Sequence, residues 1–355
     1  MGDPMLVQLL ERIQATEDAQ VLHGLRNQVH KHMEAVLETR PIGQFYEQLN
    51  EVHDAVISRA ISLSEAKMAR LGKGSPPVPY AYLLFGSGGR EEQTMSSDQD
   101  SGIIYADPMS DSAAVRQYFE ELSICIVDHL QAAGYPPCEG NVISSNPEWR
   151  LSLSEWKGKL EGWFGEPVWE AVRYLLIIAD GRCVYGDKRL ADEMKKDFYN
   201  DVLKHPHIER RMLDNTMRHK MLIGIFGQFL MEQYGEEAGS LDIKYGAYIP
   251  MVNAIRLLSV QMGIRDTSTM DRIARLVELG KFSAEDGAAY ESAFSFFMRL
   301  RMLATWGLES GMYASSGKLA GRMLTKEMKA ELKSHLKVGK RLQQIVFKET
   351  MGRLS

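Results

Sequence analysis

The chain has 355 residues, enough for two or three domains and a sizeable core. Hydrophobic residues make up 45% and charged residues 25%, both ordinary globular values. The net charge of −5 offers no track for a polyanion, which argues against nucleic acid as a partner. The three cysteines, Cys125, Cys138 and Cys183, have neither metal-ligand nor disulfide-framework spacing. They fit a reducing cytoplasm as small buried hydrophobes. No basic n-region with an apolar stretch opens the chain, and no run reaches 18 apolar residues. The expectation is a soluble cytoplasmic protein with no membrane partner.

Apolar residues spaced by three and four predict a helix over 5–39, broken by Pro41, and a second helix from Ile42 to about Leu63. Together they read as an N-terminal helical arm over 1–75, with charged outer faces. A regulatory role, or a dimerising one in a homodimer, is compatible with that pattern. Residues 72–79 form a Gly/Pro loop, followed by a strand over 80–85.

Residues 83–105 read LLFGSGGREEQTMSSDQDSGIIY: an apolar strand, a glycine turn, a polar loop and a second strand. Side chains alternate faces along a strand, so Asp98 and Asp100 point the same way, about 7 Å apart. Two carboxylates aimed at one point suit a hard cation such as Mg²⁺. The glycine turn beside them lets backbone N–H groups approach a phosphate. The turn lacks the P-loop Lys-Ser/Thr and the third glycine of a dinucleotide fingerprint. The residues alone therefore point to metal-dependent phosphoryl or nucleotidyl transfer.

A helix is expected over 112–133 with a stop at Gly134, then a weak strand or extended segment over 138–144 and a helix over 153–164 that places Trp156 and Trp163 on one side. Residues 175–179 read as a short buried strand ending at Asp180, a carboxylate that would be costly to bury unpaired. A helix follows over 188–199. Beyond 200 helical periodicity dominates, over 208–234, 248–262, 269–279, 283–308 and 325–347, with an N-cap at Ser283 and a stop at Gly280. Five helices with short links suggest an antiparallel bundle.

Gly86-Ser87, ten intervening residues and Asp98-Gln-Asp100 entering a strand resemble the signature of the polymerase-beta-like nucleotidyltransferase superfamily. The longer string from Gly86 to Asp100 resembles a bacterial nucleotidyltransferase family often fused to CBS or cyclic-nucleotide-binding modules. That family is similar to the uridylyltransferase that modifies the PII nitrogen-signalling protein. Asn146-Pro-Glu-Trp-Arg150, Asp180-Gly-Arg182, Leu241-Asp-Ile-Lys244 and Phe297-Met-Arg-Leu-Arg301 continue the resemblance into a C-terminal substrate-binding helical domain. No fused CBS or cyclic-nucleotide module is found in the chain.

The resemblance implies an α+β fold: a small mixed-sheet nucleotidyltransferase core over 76–200, flanked by the helical arm and by a helical bundle over 201–355. It implies an NTP as donor, Mg²⁺ or Mn²⁺ as cofactor, and transfer of AMP or UMP to a hydroxyl of a protein or small molecule, with pyrophosphate released. Asp98 and Asp100 would bridge two metals, with Asp180 as a third ligand that helps take the nucleophile's proton. Gly86 and Ser87 would hold the triphosphate. Arg90 would clamp it or pair with Glu91 or Glu92. Arg182 would bind phosphate or pair with Asp180. Lys244 would meet nucleotide or acceptor, or pair with Asp242. A nucleotide sensor without catalysis and a protein-interaction scaffold are the alternative readings.

Overall fold

The computed structural model describes residues 3–224, 227–235, 237–307 and 313–354. The fold is α+β, and the described residues divide into two compact units, residues 3–161 with 180–197 and residues 162–179 with 198–307 and 313–354.

The first unit begins with three helices, α1 (Pro4–Ala15), α2 (Ala19–Val36) and α3 (Ile42–Arg70). Two helices were expected over this stretch. The extra break falls at Asp18, whose carboxylate accepts from Gln20 N at 2.8 Å and caps α2. Next come β1 (Tyr80–Leu84), a single helical turn α4 (Gly86–Gly89), β2 (Ser101–Tyr105) and α5 (Ser112–Ala132). α5 stops at Gly134, whose φ of +92° is a left-handed position that suits glycine.

β3 (Arg150–Ser152) leads into α6 (Leu153–Gly165). After α7 (Trp169–Ala179) the chain returns as β4 (Arg182–Gly186) and α8 (Lys188–Val202). The sheet order is β3-β2-β1-β4. β1 runs antiparallel to β2 and β4, and β3 lies parallel to β2, so the sheet is mixed. Every residue of β1 and β2 is buried. Their near-continuous apolar sequence therefore reflects cover on both faces.

The strand expected over 175–179 is absent, and the weak strand or extended segment expected over 138–144 forms no strand. Residues 175–179 are the last turns of helix α7, in which Leu175, Leu176, Ile178 and Ala179 are buried together with Ala171 and Val172. A short apolar run has no period of its own, and here it continues a helix started at Trp169. Residues 138–144 form an irregular loop that follows the parallel bridge between Gln99 and Pro137 and is bonded to β2 from Ser101 N to Val142 O at 3.0 Å.

The second unit holds α9 (Pro206–Thr216), β5 (Ser240–Asp242), α10 (Ile249–Gln261), α11 (Thr269–Glu278), α12 (Ala284–Leu303), β6 (Thr305–Gly307), β7 (Tyr313–Ser315), β8 (Lys318–Ala320) and α13 (Lys326–Leu354). The helix expected to reach Tyr234 ends at Thr216; the chain beyond turns through Gly227, Gly235 and Gly239, all at positive φ. α10 is buried from Pro250 to Val260. The expected cap forms, with Ser283 Oγ accepting from Asp286 N at 3.0 Å. Gly280, at φ +70°, follows α11. Arg272 is fully buried and donates to Asp266 O at 2.8 Å and Ala179 O at 3.0 Å, closing the carboxyl end of α7. No helix among the described residues is long and apolar enough to cross a membrane.

A buried polar cluster ties α2 and α3 to the rest of the first unit. The Arg26 guanidinium donates to Gly134 O at 2.6 Å and Met95 O at 3.1 Å, and sits 4.0 Å from the Tyr135 ring centroid. His53 is fully buried. Burial, then the charge of Arg26, push its pKa down to about 3. Burial and the same charge hold His30 well below its usual range.

Both histidines therefore fold neutral, while the unfolded chain takes up their protons below about pH 6.5. Stability is full above that pH and declines as pH falls through the window between 6.5 and the folded values. The expected slope is roughly 1.4 kcal/mol per pH unit for each group. Thermal unfolding at pH 7.5, 6.5 and 5.5 should show a falling midpoint, shallower in His53→Gln. A flat midpoint would contradict this reading.

Candidate active site

β1 delivers the chain to Phe85, an extended residue whose N–H donates to Asp100 O at 2.9 Å. The backbone then folds into the turn α4, closed by Gly89 N to Phe85 O at 2.8 Å and Glu92 N to Ser87 O at 2.9 Å. Two glycines here have no substitute. Gly86 has a φ of +52°, and a Cβ on it would collide with Asp100 Oδ2. A Cβ on Gly89 would collide with the backbone carbonyls of Asp180 and Leu84. The turn is thus pressed against the Asp100 carboxylate on one side and the start of β4 on the other.

Asp98 and Asp100 flank Gln99, whose side chain turns inward and donates to Tyr135 O at 2.7 Å. That alternation puts the two carboxylates on the opposite face. Backbone bonds from Gln99 N to Pro136 O and from Ser101 N to Val142 O, each 3.0 Å, lay the 136–142 loop alongside. The result is a group that sequence spacing gave no sign of: donor atoms of Asp98, Asp100 and Cys138 all within 4.8 Å of one another. Asp98 is exposed and the other two are half-buried. Burial, followed by the Asp100 carboxylate, pushes the Cys138 thiol up to about 12. The thiol stays protonated and serves Asp100 as a hydrogen-bond donor.

Ser87, Gly88, Asp98 and Asp100 line one narrow cleft with Tyr82 and Gln93. Its enclosed volume is about 10 Å³, room for about one water. A larger ligand must lie across its open mouth. Two carboxylates at this spacing present hard oxygen donors, the set a Mg²⁺ or Mn²⁺ ion takes.

The remaining expected site residues are placed differently from one another. Asp180 is 1% exposed and lies outside the donor group; its Oδ2 accepts from Arg90 Nη1 at 2.7 Å. Arg90 also donates through Nε to Glu92 at 2.8 Å and is itself buried. The triad holds one cation between two carboxylates directly behind the glycine turn. Arg182 pairs with Asp54 rather than Asp180. Its Nη1 and Nη2 meet the two Asp54 oxygens at 2.7 and 2.6 Å, and its Nε donates to Gly88 O at 2.9 Å. Burial works against the Arg182 charge, but the Asp54 bonds outweigh it and hold the pKa above its ordinary value.

Lys244 belongs to the second unit and opens a π-helical segment, Lys244–Tyr248, that runs into α10. Its ammonium lies 5.2 Å from the Tyr245 ring centroid. Asp242, the expected partner of that lysine, accepts instead from Tyr245 N at 2.8 Å.

Two family models match the chain. "Putative nucleotidyltransferase DUF294" covers residues 24–170, a span that includes the turn, Asp98, Asp100 and Cys138. "Putative nucleotidyltransferase substrate binding domain" covers residues 206–350, most of the second unit. No curated protein matches the chain. The chain belongs to the family described as putative nucleotidyltransferases of the DUF294 type, with that family's C-terminal substrate-binding domain.

Proposed function

We propose that the chain is a metal-dependent nucleotidyltransferase that moves an NMP from an NTP to a hydroxyl of a protein or small molecule in the cytoplasm. The observation that carries this reading is the placement of the Gly86-Ser87 turn and the Asp98–Asp100 carboxylates on one cleft. The three cysteines, all free, agree with a reducing compartment.

Asp98 and Asp100 would hold Mg²⁺ or Mn²⁺, which supplies charge stabilisation to the reacting phosphates when bound. The glycine turn and Ser87 receive the triphosphate across the mouth of the cleft. The acceptor oxygen bonds to the α-phosphorus, the bond to the bridging oxygen breaks, and pyrophosphate leaves. The hydroxyl proton passes to Asp98, the exposed member of the pair. Asp180 takes a positioning role, because its carboxylate is engaged by Arg90. Lys244, on its π-helical segment, is assigned to acceptor binding; such segments recur at functional sites.

Calorimetric titration with each NTP tests the donor half without needing the acceptor. Binding should require a divalent cation and weaken about tenfold or more in Asp98→Asn/Asp100→Asn. Affinity unchanged by the substitutions, or by removal of the metal, would refute the assignment.

A further inference from the structure

The arm helix α3 carries a polar row, Asn50, His53 and Asp54, at spacings of three and four that share one helix face. All three reach the backbone of the glycine turn or of the loop that follows it, directly or through one side chain. Asn50 Oδ1 accepts from Gln93 N at 3.1 Å, and its Nδ2 donates to Tyr46 O at 2.8 Å, which fixes the amide's orientation. His53 Nε2 faces Thr94 O at 3.1 Å and Nδ1 faces Tyr135 Oη at 2.6 Å. A carbonyl only accepts, so Nε2 carries the proton and Nδ1 accepts from the tyrosine. Asp54 orients Arg182 through two bonds, and Arg182 grips Gly88 O.

Gly88 O, Gln93 N and Thr94 O are backbone atoms at successive points along the glycine turn and the loop that follows it. Side chains of α3, with Arg182 as intermediary, therefore set the path of that backbone. None of the three is in the donor group of Asp98, Asp100 and Cys138.

We infer that α3 is a positioning platform for the donor site: Asp54 acting through Arg182, with Asn50 and His53, holds the 86–95 backbone where it receives the metal-bound triphosphate. The inference rests on the nucleotidyltransferase reading of that same cleft. Asp54 is a positioning residue; it reaches Gly88 only through the guanidinium. Its carboxylate is 30% exposed, so removing its charge leaves a group that water can solvate.

The test uses the full chain, Mn²⁺ and a fluorescent NTP analogue. Asp54→Asn should weaken analogue binding about tenfold, the scale on which outer-shell partners act. Asp54→Glu, which keeps the carboxylate, should recover most of that loss. Amide hydrogen exchange across 86–93 should quicken in Asp54→Asn. The control is Asp3→Asn, which breaks the ion pairs of Asp3 with His32 and Arg40 in the same arm, away from the loop. Asp3→Asn should lower the thermal midpoint and leave affinity at the wild-type value.

Wild-type affinity in Asp54→Asn, or an equal loss in Asp3→Asn, would overturn the platform alone. If Asp54→Asn fails to fold, Arg182→Lys, which removes the fork but keeps the charge, must show the same loss, and wild-type affinity there overturns the inference. No binding by the unmodified chain would overturn both the platform and the reading of the cleft.

Discussion

Gly89→Ala should destabilise the chain by about 3 kcal/mol or more, beyond the usual range for a surface or loop change. The added methyl meets two backbone carbonyls, those of Asp180 and Leu84. Neither is the end of a flexible side chain. Relief would require moving β1 away from the chain entering β4, and β1 is a central strand, buried throughout. Any shift would also move Asp180, whose carboxylate fixes Arg90 behind the turn. Gly24 in α2 makes the matched comparison, since a Cβ there meets nothing within 4 Å. Gly24→Ala should stabilise the helix by about 0.5–1 kcal/mol, because alanine loses less backbone freedom than glycine on folding. Thermal or urea unfolding of the two variants should move in opposite directions. Equal shifts would mean that the turn yields, and that its close packing does not matter.

The parts of the site that were legible in the sequence are those built locally. A strand, a glycine turn and an Asp-x-Asp pair entering the next strand lie in one continuous stretch, 80–105, and alternation along a strand suffices to place Asp98 and Asp100 together. Cys138 was not legible. It arrives through the pairing of Gln99 with the 136–137 segment, about 40 residues on, and no spacing rule connects them.

The partners of the buried charges were hidden for the same reason. Arg90 meets Asp180 across 90 residues and Arg182 meets Asp54 across 128. Asn50, His53 and Asp54 fall between the apolar positions Leu49, Val52 and Val56, where an amphipathic helix carries surface residues, so the spacing does not mark them as inward. In the fold Asn50 and His53 are buried. The apolar run 175–179 reads as strand from sequence because near-continuous burial erases the period that separates helix from strand.

The second large effect concerns the carboxylate pair. Asn keeps the shape of Asp and removes the charge that a divalent cation requires, so Asp98→Asn/Asp100→Asn should fold as the wild type does. Asp98 is exposed and Asp100 half-buried. Loss of the metal's charge stabilisation should cost roughly 10²–10³-fold in rate or more, by analogy with removal of a single preorganised electrostatic group. Removal of divalent cations by a chelator should reproduce the loss in the wild type, and added Mn²⁺ should restore it.

The most direct measurement is transfer itself. Purified chain is incubated with each α-phosphate-labelled NTP, Mg²⁺ or Mn²⁺ and a cell lysate as the source of acceptor, and labelled product and pyrophosphate are followed together. One NTP should give label on a discrete acceptor with matching pyrophosphate, and Asp98→Asn/Asp100→Asn should give neither. Equal labelling by both chains, or NTP binding without pyrophosphate or labelled product under any of these conditions, would contradict the account.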